Sequence, residues 1–270
     1  MKICISNLAW KPEEEKEVFK LLKSEGTGGI EIAPGKVFAE PANAATKEVE
    51  KYKKITGDAG LKIVAFQAFL FGHPELQMFK SEAVREELKK YIVEIIKLAK
   101  TLGAGVLVYG APKSRDRGEL STSQAMNIAI PFFKEVGEIA LKNGTVFCIE
   151  PNPEEYGCNF IINSKEGAEL VDAVNSKGFG LHLDTAGMYL ASEDAESALI
   201  KNIKLLKHFH VSEPNLANLN SPKIDHEKIG RTLNKLEYNN WVSIEMLPSD
   251  EYLIAIKNAL SLTEKFYGRK

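Results

Sequence analysis

The sequence predicts an α/β protein that folds as a single (β/α)8 TIM barrel over residues 1–270. Strand-like and helix-like segments alternate along the whole chain, which is typical of a parallel sheet with crossover helices. Eight such pairs in 270 residues match the usual size of this barrel. No linker or low-complexity segment divides the sequence, so one domain is expected.

A doubly wound sheet is the alternative architecture for the same alternation of elements. That fold usually carries a Gly-x-Gly-x-x-Gly turn after its first strand. The sequence has no such turn after residues 2–6. The barrel is therefore the favoured prediction.

The individual elements follow from hydrophobic periodicity and from residues that start or stop helices. Short apolar runs predict strands at 2–6, 29–33, 62–67, 105–109, 146–150, 178–184, 207–212 and 241–246. Helical periodicity predicts helices from about residue 12 and over 46–59, 82–102, 122–142, 193–206 and 225–236. Ser164 and Ser249 are the predicted N-caps of two further helices, the last of which ends near residue 266.

Composition narrows the range of partners. The 35 basic and 37 acidic residues give a net charge of −2, so we expect no nucleic acid and no anionic membrane as partner. The sequence has neither a signal peptide pattern nor an apolar run long enough to span a bilayer. Its three cysteines lack C-x-x-C spacing, which indicates reduced thiols in a cytoplasmic protein. A homo-oligomer is compatible with this composition.

Four consecutive strands each end on a polar residue that can bind a metal. The fifth ends on Glu150, the sixth on Asp184, the seventh holds His210, and the eighth holds Glu245. Active sites of these barrels lie at the carboxyl ends of the strands, so the four side chains should converge. Three carboxylates would repel one another without a counter-charge. One imidazole and three carboxylates suit one divalent ion, namely Mn²⁺, Mg²⁺, Co²⁺ or Zn²⁺.

Each of these residues also has a structural explanation when it is taken alone. Asp184 precedes Thr185 and is a candidate cap of the following helix, and His210 is a candidate hydrogen-bonded core residue. The structural explanation would have to hold separately at all four positions, whereas one metal site accounts for all four together. The metal site is therefore the favoured interpretation.

Other polar residues near the predicted strand ends are candidate substrate contacts. His182 shares a strand face with Asp184 but lies deeper, so a supporting or core role is open to it as well. His73 lies in the loop after the third strand, where surface exposure explains it equally well. A basic loop with Lys113, Arg115 and Arg117 either grips an anionic group or is solvated. The candidate substrate-binding residues are His73, Lys113, Arg115, Tyr156, His182 and Glu213.

The strand ends resemble those of the xylose isomerase-like TIM barrels, along the whole chain. This family includes sugar phosphate isomerases and epimerases, the ketose 3-epimerases and endonuclease IV. The resemblance implies that Glu150, Asp184, His210 and Glu245 bind one divalent metal and that the two glutamates exchange protons with a sugar. The segments that carry it are Ile149-Glu-Pro-Asn-Pro153, Leu183-Asp-Thr185, His208-Phe-His210 and Ser243-Ile-Glu-Met246.

The sequence departs from the ketose 3-epimerase pattern at three positions that contact substrate in that family. Gly187 stands where those enzymes have a histidine three residues after the metal-binding aspartate. Tyr156 stands where they have a glutamate, and residues 214–223 lack the arginine that they place after the seventh strand. The resemblance therefore extends to the metal-binding and acid–base residues, but it does not identify the substrate.

The predicted function is divalent-metal-dependent isomerisation or epimerisation of a keto-sugar, a sugar phosphate or a related polyol. Glu150 and Glu245 are the candidate catalytic residues, which would move a proton next to a carbonyl. Both epimerisation and aldose–ketose isomerisation remain open. Four aromatic residues are candidates for an apolar wall around the sugar or for core packing, namely Trp10, Phe69, Phe71 and Tyr109.

Two other functions compete with this prediction. An endonuclease IV-like, metal-dependent phosphodiesterase would act on abasic DNA and would need further histidines for several zinc ions. The near-zero net charge and Gly187 count against it. A barrel that binds metal without catalysis is the third hypothesis, and the retained pair of glutamates disfavours it.

Overall fold

A closed barrel of parallel strands in chain order forms the centre of the molecule. The computed structural model describes residues 1–268. The first and last strands pair with each other, with Cys4 opposite Ser243, and this pairing closes the barrel. The predicted (β/α)8 architecture is thereby confirmed. The strands are β1 Lys2–Ser6, β2 Gly29–Ile32, β3 Lys62–Phe66, β4 Val106–Tyr109, β5 Val146–Ile149, β6 Phe179–Asp184, β7 Leu206–Val211 and β8 Trp241–Ile244.

An outer layer of helices covers the barrel. The helices in the described part are α1 Glu15–Ser24, α2 Thr46–Asp58, α3 Glu82–Leu102, α4 Thr122–Lys142, α5 Ser164–Val174, α6 Thr185–Leu190, α7 Ala195–Asn202, α8 His226–Lys235 and α9 Tyr252–Tyr267. Short 3-10 turns follow several strand ends. Among the residues described, none of the helices combines the length and the hydropathy needed to cross a lipid bilayer.

Helix α3 shows how the sequence produces this layer. The side chain of Ser81 accepts a hydrogen bond from the amide of Val84 at the start, and Gly103 adopts a left-handed conformation at the end. Leu88, Ile92 and other apolar residues at helical spacing are buried on one face. That face packs toward the barrel, while charged residues form the outer face.

Three predicted helix boundaries differ from the structure. Between β6 and β7, α7 occupies only Ala195–Asn202 of the predicted helix at 193–206, and a further short helix, α6, precedes it with the carboxylate of Asp184 as its cap. Asn163, and not Ser164, caps α5, since its side chain accepts a hydrogen bond from the amide of Glu166. Helix α9 follows Glu251 without a side-chain cap, so the predicted capping role of Ser249 is wrong.

The strand register brings the polar strand ends together. Asp184 on β6 pairs with His210 on β7, and His210 pairs with Ser243 on β8. Glu150 and Glu245 each lie one residue beyond their strands, where their amides donate to carbonyls of the neighbouring strands. All four side chains therefore start from the carboxyl end of the barrel.

Candidate active site

Glu150, Asp184, His210 and Glu245 come together at the carboxyl end of the barrel, around the imidazole of His210. Nδ1 of His210 lies 3.2 Å from Oε2 of Glu245 and 4.0 Å from Oε1 of Glu150. Asp184, His210 and Glu245 each offer a ligand atom within 4.8 Å of the other two. The structure thus places the four side chains close together, as the strand ends indicated.

Glu150 depends on its neighbours for space and position. A Cβ atom at Gly110 would clash with Oε2 of Glu150, so a larger residue after β4 would force this carboxylate to move. The buried guanidinium of Arg115 donates to the carbonyl of Glu150 over 2.7 Å and to the carbonyl of Tyr109 over 3.2 Å. Arg115 therefore ties the ends of β4 and β5 together. The expectation that it binds substrate is corrected, because its guanidinium is buried and donates hydrogen bonds to backbone carbonyls inside the protein.

Asp184 combines its role in the cluster with the role of a helix cap. Its Oδ1 accepts a hydrogen bond from the amide of Gly187 over 2.6 Å, and its Oδ2 accepts one from the hydroxyl of Ser212. The carboxylate is therefore held in place from two sides. Gly187 lies in the first turn of α6. It has no side chain, whereas the ketose 3-epimerase pattern has a histidine at this position.

Glu31 on β2 belongs to the same cluster, and the sequence reasoning missed it. Its Oε2 lies 2.9 Å from Nε2 of His210, and its Oε1 lies 3.3 Å from Nε2 of His208. Burial alone would raise the pKa of Glu31, but the charges of His210 and His208 hold that pKa well below its ordinary value. An ionised carboxylate only accepts hydrogen bonds, so Nε2 of His210 carries a proton. Against the effect of burial, the carboxylates of Glu31 and Glu245 raise the pKa of this imidazole, and a metal ion at Nδ1 would take the place of the second proton.

The carboxylates of the cluster have too little positive charge nearby to compensate their own negative charges. Burial, and then the nearby carboxylates of Glu245 and Asp184, raise the pKa of Glu150 to about 8 against the charge of His210. Burial and Glu245 likewise raise the pKa of Asp184 to about 6. Within the described residues, Nδ1 of His210 is buried without a hydrogen-bond partner. Oxygen and imidazole donors with unmet charge fit a divalent cation.

A cavity of about 550 Å³ opens directly above Glu150 and Glu245. Phe69 and Tyr109 form part of its apolar wall, and Phe71 is 90% exposed at its rim. Trp10, the fourth aromatic candidate, packs edge-on against Phe19 and does not line the cavity. Three predicted substrate contacts do line it, namely His73, Lys113 and Tyr156.

Besides Arg115, two more predicted substrate contacts do not line this cavity. Glu213 is buried and accepts hydrogen bonds from the amides of Lys223 and Ile224, and its Oε1 lies 2.9 Å from Nε2 of His226. It therefore fastens the loop after β7, which corrects the expectation of a substrate contact. His182 is buried beneath Glu150 and is not part of the cavity wall. Its expected contact with substrate is likewise corrected.

A second cavity of about 650 Å³ lies at the opposite end of the barrel. It is lined by Lys2 and Trp241 at the starts of β1 and β8, and by residues of the last helix. None of the clustered acidic and histidine side chains described above reaches it. Chemistry is therefore expected at the smaller cavity.

Comparison with known proteins agrees with this geometry. The model of the family described as xylose isomerase-like TIM barrel matches residues 19–262. The chain belongs to this family. A probable ketose 3-epimerase from Synechocystis sp. is 25% identical over 253 residues, which cover 91% of this chain and 84% of that protein.

Solved structures share the fold at low sequence identity. D-psicose 3-epimerase from Clostridium cellulolyticum superposes with a TM-score of 0.85 and 17% identity, over 100% of both chains. An AP endonuclease of family 2 from Brucella melitensis gives a TM-score of 0.80 and 18% identity, over 98% of this chain and 99% of that one. Proteins with different names thus share this fold, and the argument for function has to come from the residues at the site.

Proposed function

We propose that this protein is a divalent-metal-dependent epimerase or isomerase of a keto-sugar or a related polyol. The single observation that supports this most is the placement of Glu150 and Glu245 together beside Nδ1 of His210, under one cavity. Two carboxylates that flank one position can remove a proton from a carbon and return it. The similarity to a probable ketose 3-epimerase supports the same proposal.

The proposed cation is held by Glu150, Asp184, His210 and Glu245. When bound, a divalent ion supplies positive charge for a carbonyl oxygen and lowers the free energy of the negative charge that develops there. This ligand set consists of oxygen atoms and one imidazole nitrogen, which suits Mn²⁺, Mg²⁺, Co²⁺ or Zn²⁺. Glu31 orients the imidazole of His210 through Nε2, so that Nδ1 faces the carboxylates.

Each glutamate has one oxygen directed toward His210 and a second for proton transfer. Oε1 of Glu150 faces His210, while its Oε2 lies over Gly110, which lines the cavity. Oε2 of Glu245 faces His210, so Oε1 is the oxygen that we assign to proton transfer. Epimerisation needs one glutamate to take the proton and the other to return it on the opposite face. Aldose–ketose isomerisation needs only one of them.

The cavity suits a small substrate with an apolar side. A volume of about 550 Å³ lies within the range of small-molecule sites and accommodates a single sugar. Phe69, Phe71 and Leu216 provide apolar contacts for the carbon-bound hydrogens, whereas Lys113 and Tyr156 provide polar contacts for oxygens. A sugar phosphate is compatible with Lys113 at the rim.

Hydrolysis of abasic DNA is less favoured by the same residues. A cluster of several zinc ions would need histidines besides His182, His208 and His210, whose candidate ligand groups all share the one imidazole of His210. Gly187 provides no side chain beside Asp184, and His226 lies between Glu213 and Tyr267, at 2.9 Å and 2.8 Å. The cavity also lacks a broad basic surface, since Lys113 is the one lysine or arginine among its described lining residues.

The proposal is tested by incubating the protein with a panel of ketoses and their phosphates after removal of metal with EDTA. We expect no conversion without metal and formation of an epimer or aldose, seen by NMR, after addition of Mn²⁺, Co²⁺ or Mg²⁺. A double variant with Glu150→Gln and Glu245→Gln is the control for contaminating activity. Conversion that proceeds equally in EDTA would contradict the proposal.

A further inference from the structure

His182 on β6 is a buried histidine that has no role in the proposed proton transfer. Its side chain has no exposed surface, and in the part of the chain described neither Nδ1 nor Nε2 has a hydrogen-bond partner. A buried polar atom without a partner destabilises the folded state. Two such atoms on one buried ring are the arrangement expected of an imidazole that binds a ligand.

The position of His182 relative to the cluster identifies that ligand. Nε2 of His182 lies 3.6 Å from Oε1 of Glu150, and its ring centroid lies 4.1 Å from that of His210 at an interplanar angle of 72°. Glu150, His182 and His210 each offer a ligand atom within 4.8 Å of the other two. This spacing is close to what ligands of a single cation require.

Three groups of candidate ligands among the described residues share His210, and two of them include a carboxylate that approaches its Nδ1. One of these two groups consists of Asp184, His210 and Glu245, and the other of Glu150, His182 and His210. Glu150 and Glu245 both come nearest to Nδ1 of His210, whereas Glu31 approaches Nε2 on the other side of the ring. A single ion beside Nδ1 can therefore draw ligands from both groups.

We propose that His182 is an additional ligand of the divalent cation and gives the site two imidazole donors. This inference rests on the metal-dependent function proposed above. Imidazole suits Zn²⁺, Co²⁺ and Ni²⁺, whereas Mg²⁺ and Mn²⁺ favour oxygen ligands. A site with two imidazoles therefore binds Co²⁺ and Zn²⁺ in preference to Mg²⁺.

His208 is a second buried histidine whose Nε2 also lacks a hydrogen-bond partner within the described residues, but it belongs to a separate candidate group with Glu31 and His210. It pairs with His182 across β6 and β7 and is equally buried, but its Nε2 lies 3.3 Å from Oε1 of Glu31. It also lies outside both groups that contain Glu150 or Glu245. His208 is therefore a matched control for substituting a buried histidine at the same depth.

The test counts the imidazole ligands of the bound ion. Metal-free protein is loaded with Cu²⁺, and the nitrogen couplings in its EPR spectrum are compared among wild type, His182→Asn and His208→Asn. We expect two imidazole nitrogens in wild type and in His208→Asn, and one in His182→Asn. Calorimetric titration should show that His182→Asn weakens Co²⁺ binding by roughly 10–100-fold, with a much smaller effect on Mg²⁺.

The outcomes separate this inference from the function on which it rests. One imidazole in wild type, with the same Co²⁺ affinity in His182→Asn, overturns the role of His182 and leaves the metal-dependent function standing. Wild type that binds none of these ions overturns both. If His182→Asn does not fold, ¹⁵N-histidine NMR of the wild type with Zn²⁺ decides the question. Shifts of two imidazoles support the proposal, and a shift of one contradicts it.

Discussion

Strands β5–β8 and strands β1–β4 contribute different parts of the same site. The second half of the barrel provides Glu150, Asp184, His210 and Glu245, whose positions are fixed by strand register and buried hydrogen bonds. The first half provides most of the cavity wall, through loops 67–74 and 108–114. The proposed catalytic and metal-binding side chains therefore lie at strand ends, whereas the proposed substrate contacts lie mainly in loops.

Glu31 is the exception to this division, because it lies on β2 in the first half. It reaches across the barrel to Nε2 of His210 and thereby connects the two halves. The comparison thus predicts three kinds of variant. Those at the strand ends of the second half affect the chemical step, those at Glu31 affect metal binding, and those in the first-half loops affect substrate affinity.

The largest expected effect concerns the two proposed catalytic glutamates. Glu150→Gln and Glu245→Gln keep an oxygen donor and nearly the same shape but remove the proton-accepting group. We expect each to lower kcat by roughly 10²–10⁴-fold, the usual contribution of a general base. Steady-state kinetics at saturating metal would measure this, with bound metal checked by elemental analysis. Variants with full metal content and near wild-type kcat would refute the assignment.

A smaller effect is expected for Glu31→Gln. The amide retains the shape of Glu31 but can donate a proton toward His210, so it no longer fixes the proton on Nε2. We expect metal affinity to fall by roughly 10–100-fold, as for other residues that orient a ligand. Calorimetry measures the affinity, and a conservative Glu31→Asp variant should recover part of it. Equal affinity in Glu31→Gln and wild type would mean that β2 plays no part in the metal site.

Lys113 tests the recognition half. It is exposed, lines the cavity, and has no ion pair within the described residues. If the substrate is phosphorylated, Lys113→Ala should raise KM by roughly 10-fold for the sugar phosphate, through loss of a charge-assisted hydrogen bond, and leave kcat unchanged. Arg117→Ala is the matched control, since Arg117 donates to the carbonyls of Asn159 and Leu120. Equal changes in both variants would identify Lys113 as ordinary surface.

The smallest expected effect is a change of the Tm of the metal-free protein with pH. The raised pKa of Glu150, about 8, means that the folded metal-free protein binds a proton that the unfolded chain releases near its ordinary pKa of 4.5. That contribution to stability is lost as pH rises through 8. Between pH 6.5 and 8.5, the Tm in EDTA should therefore fall by roughly 3–6 °C. Glu150→Gln should reduce this slope, and the part that remains is expected from His210, because Glu31 and Glu245 raise the pKa of its imidazole against the effect of burial. An unchanged slope in that variant would contradict the assignment to Glu150.

The sequence predicted the strand ends because strong physical rules apply there. Apolar runs mark the buried strands, and a polar residue such as Glu150 or Glu245 at the end of such a run must face the mouth of the barrel. It did not predict where loop side chains point. Arg115 and Glu213 were assigned to substrate, but both satisfy backbone groups inside the protein.

Glu31 was missed for a different reason. It lies in a short strand, Gly29–Ile32, whose other members are apolar or small, and a single charge there resembles an exposed position. The partners that compensate its burial, His208 and His210, are far away in sequence. An acidic residue inside a predicted buried strand was nevertheless a usable signal, because a buried charge requires a partner.

The central claim, proton transfer next to a carbonyl by Glu150 and Glu245, is tested most directly by hydrogen exchange with solvent. The metal-loaded protein is incubated in D₂O with a ketose that it converts, and the product is analysed by NMR and mass spectrometry. The account predicts deuterium at the carbon next to the carbonyl in the product. Conversion without any incorporated deuterium would contradict it and would favour direct transfer of a hydride between carbons.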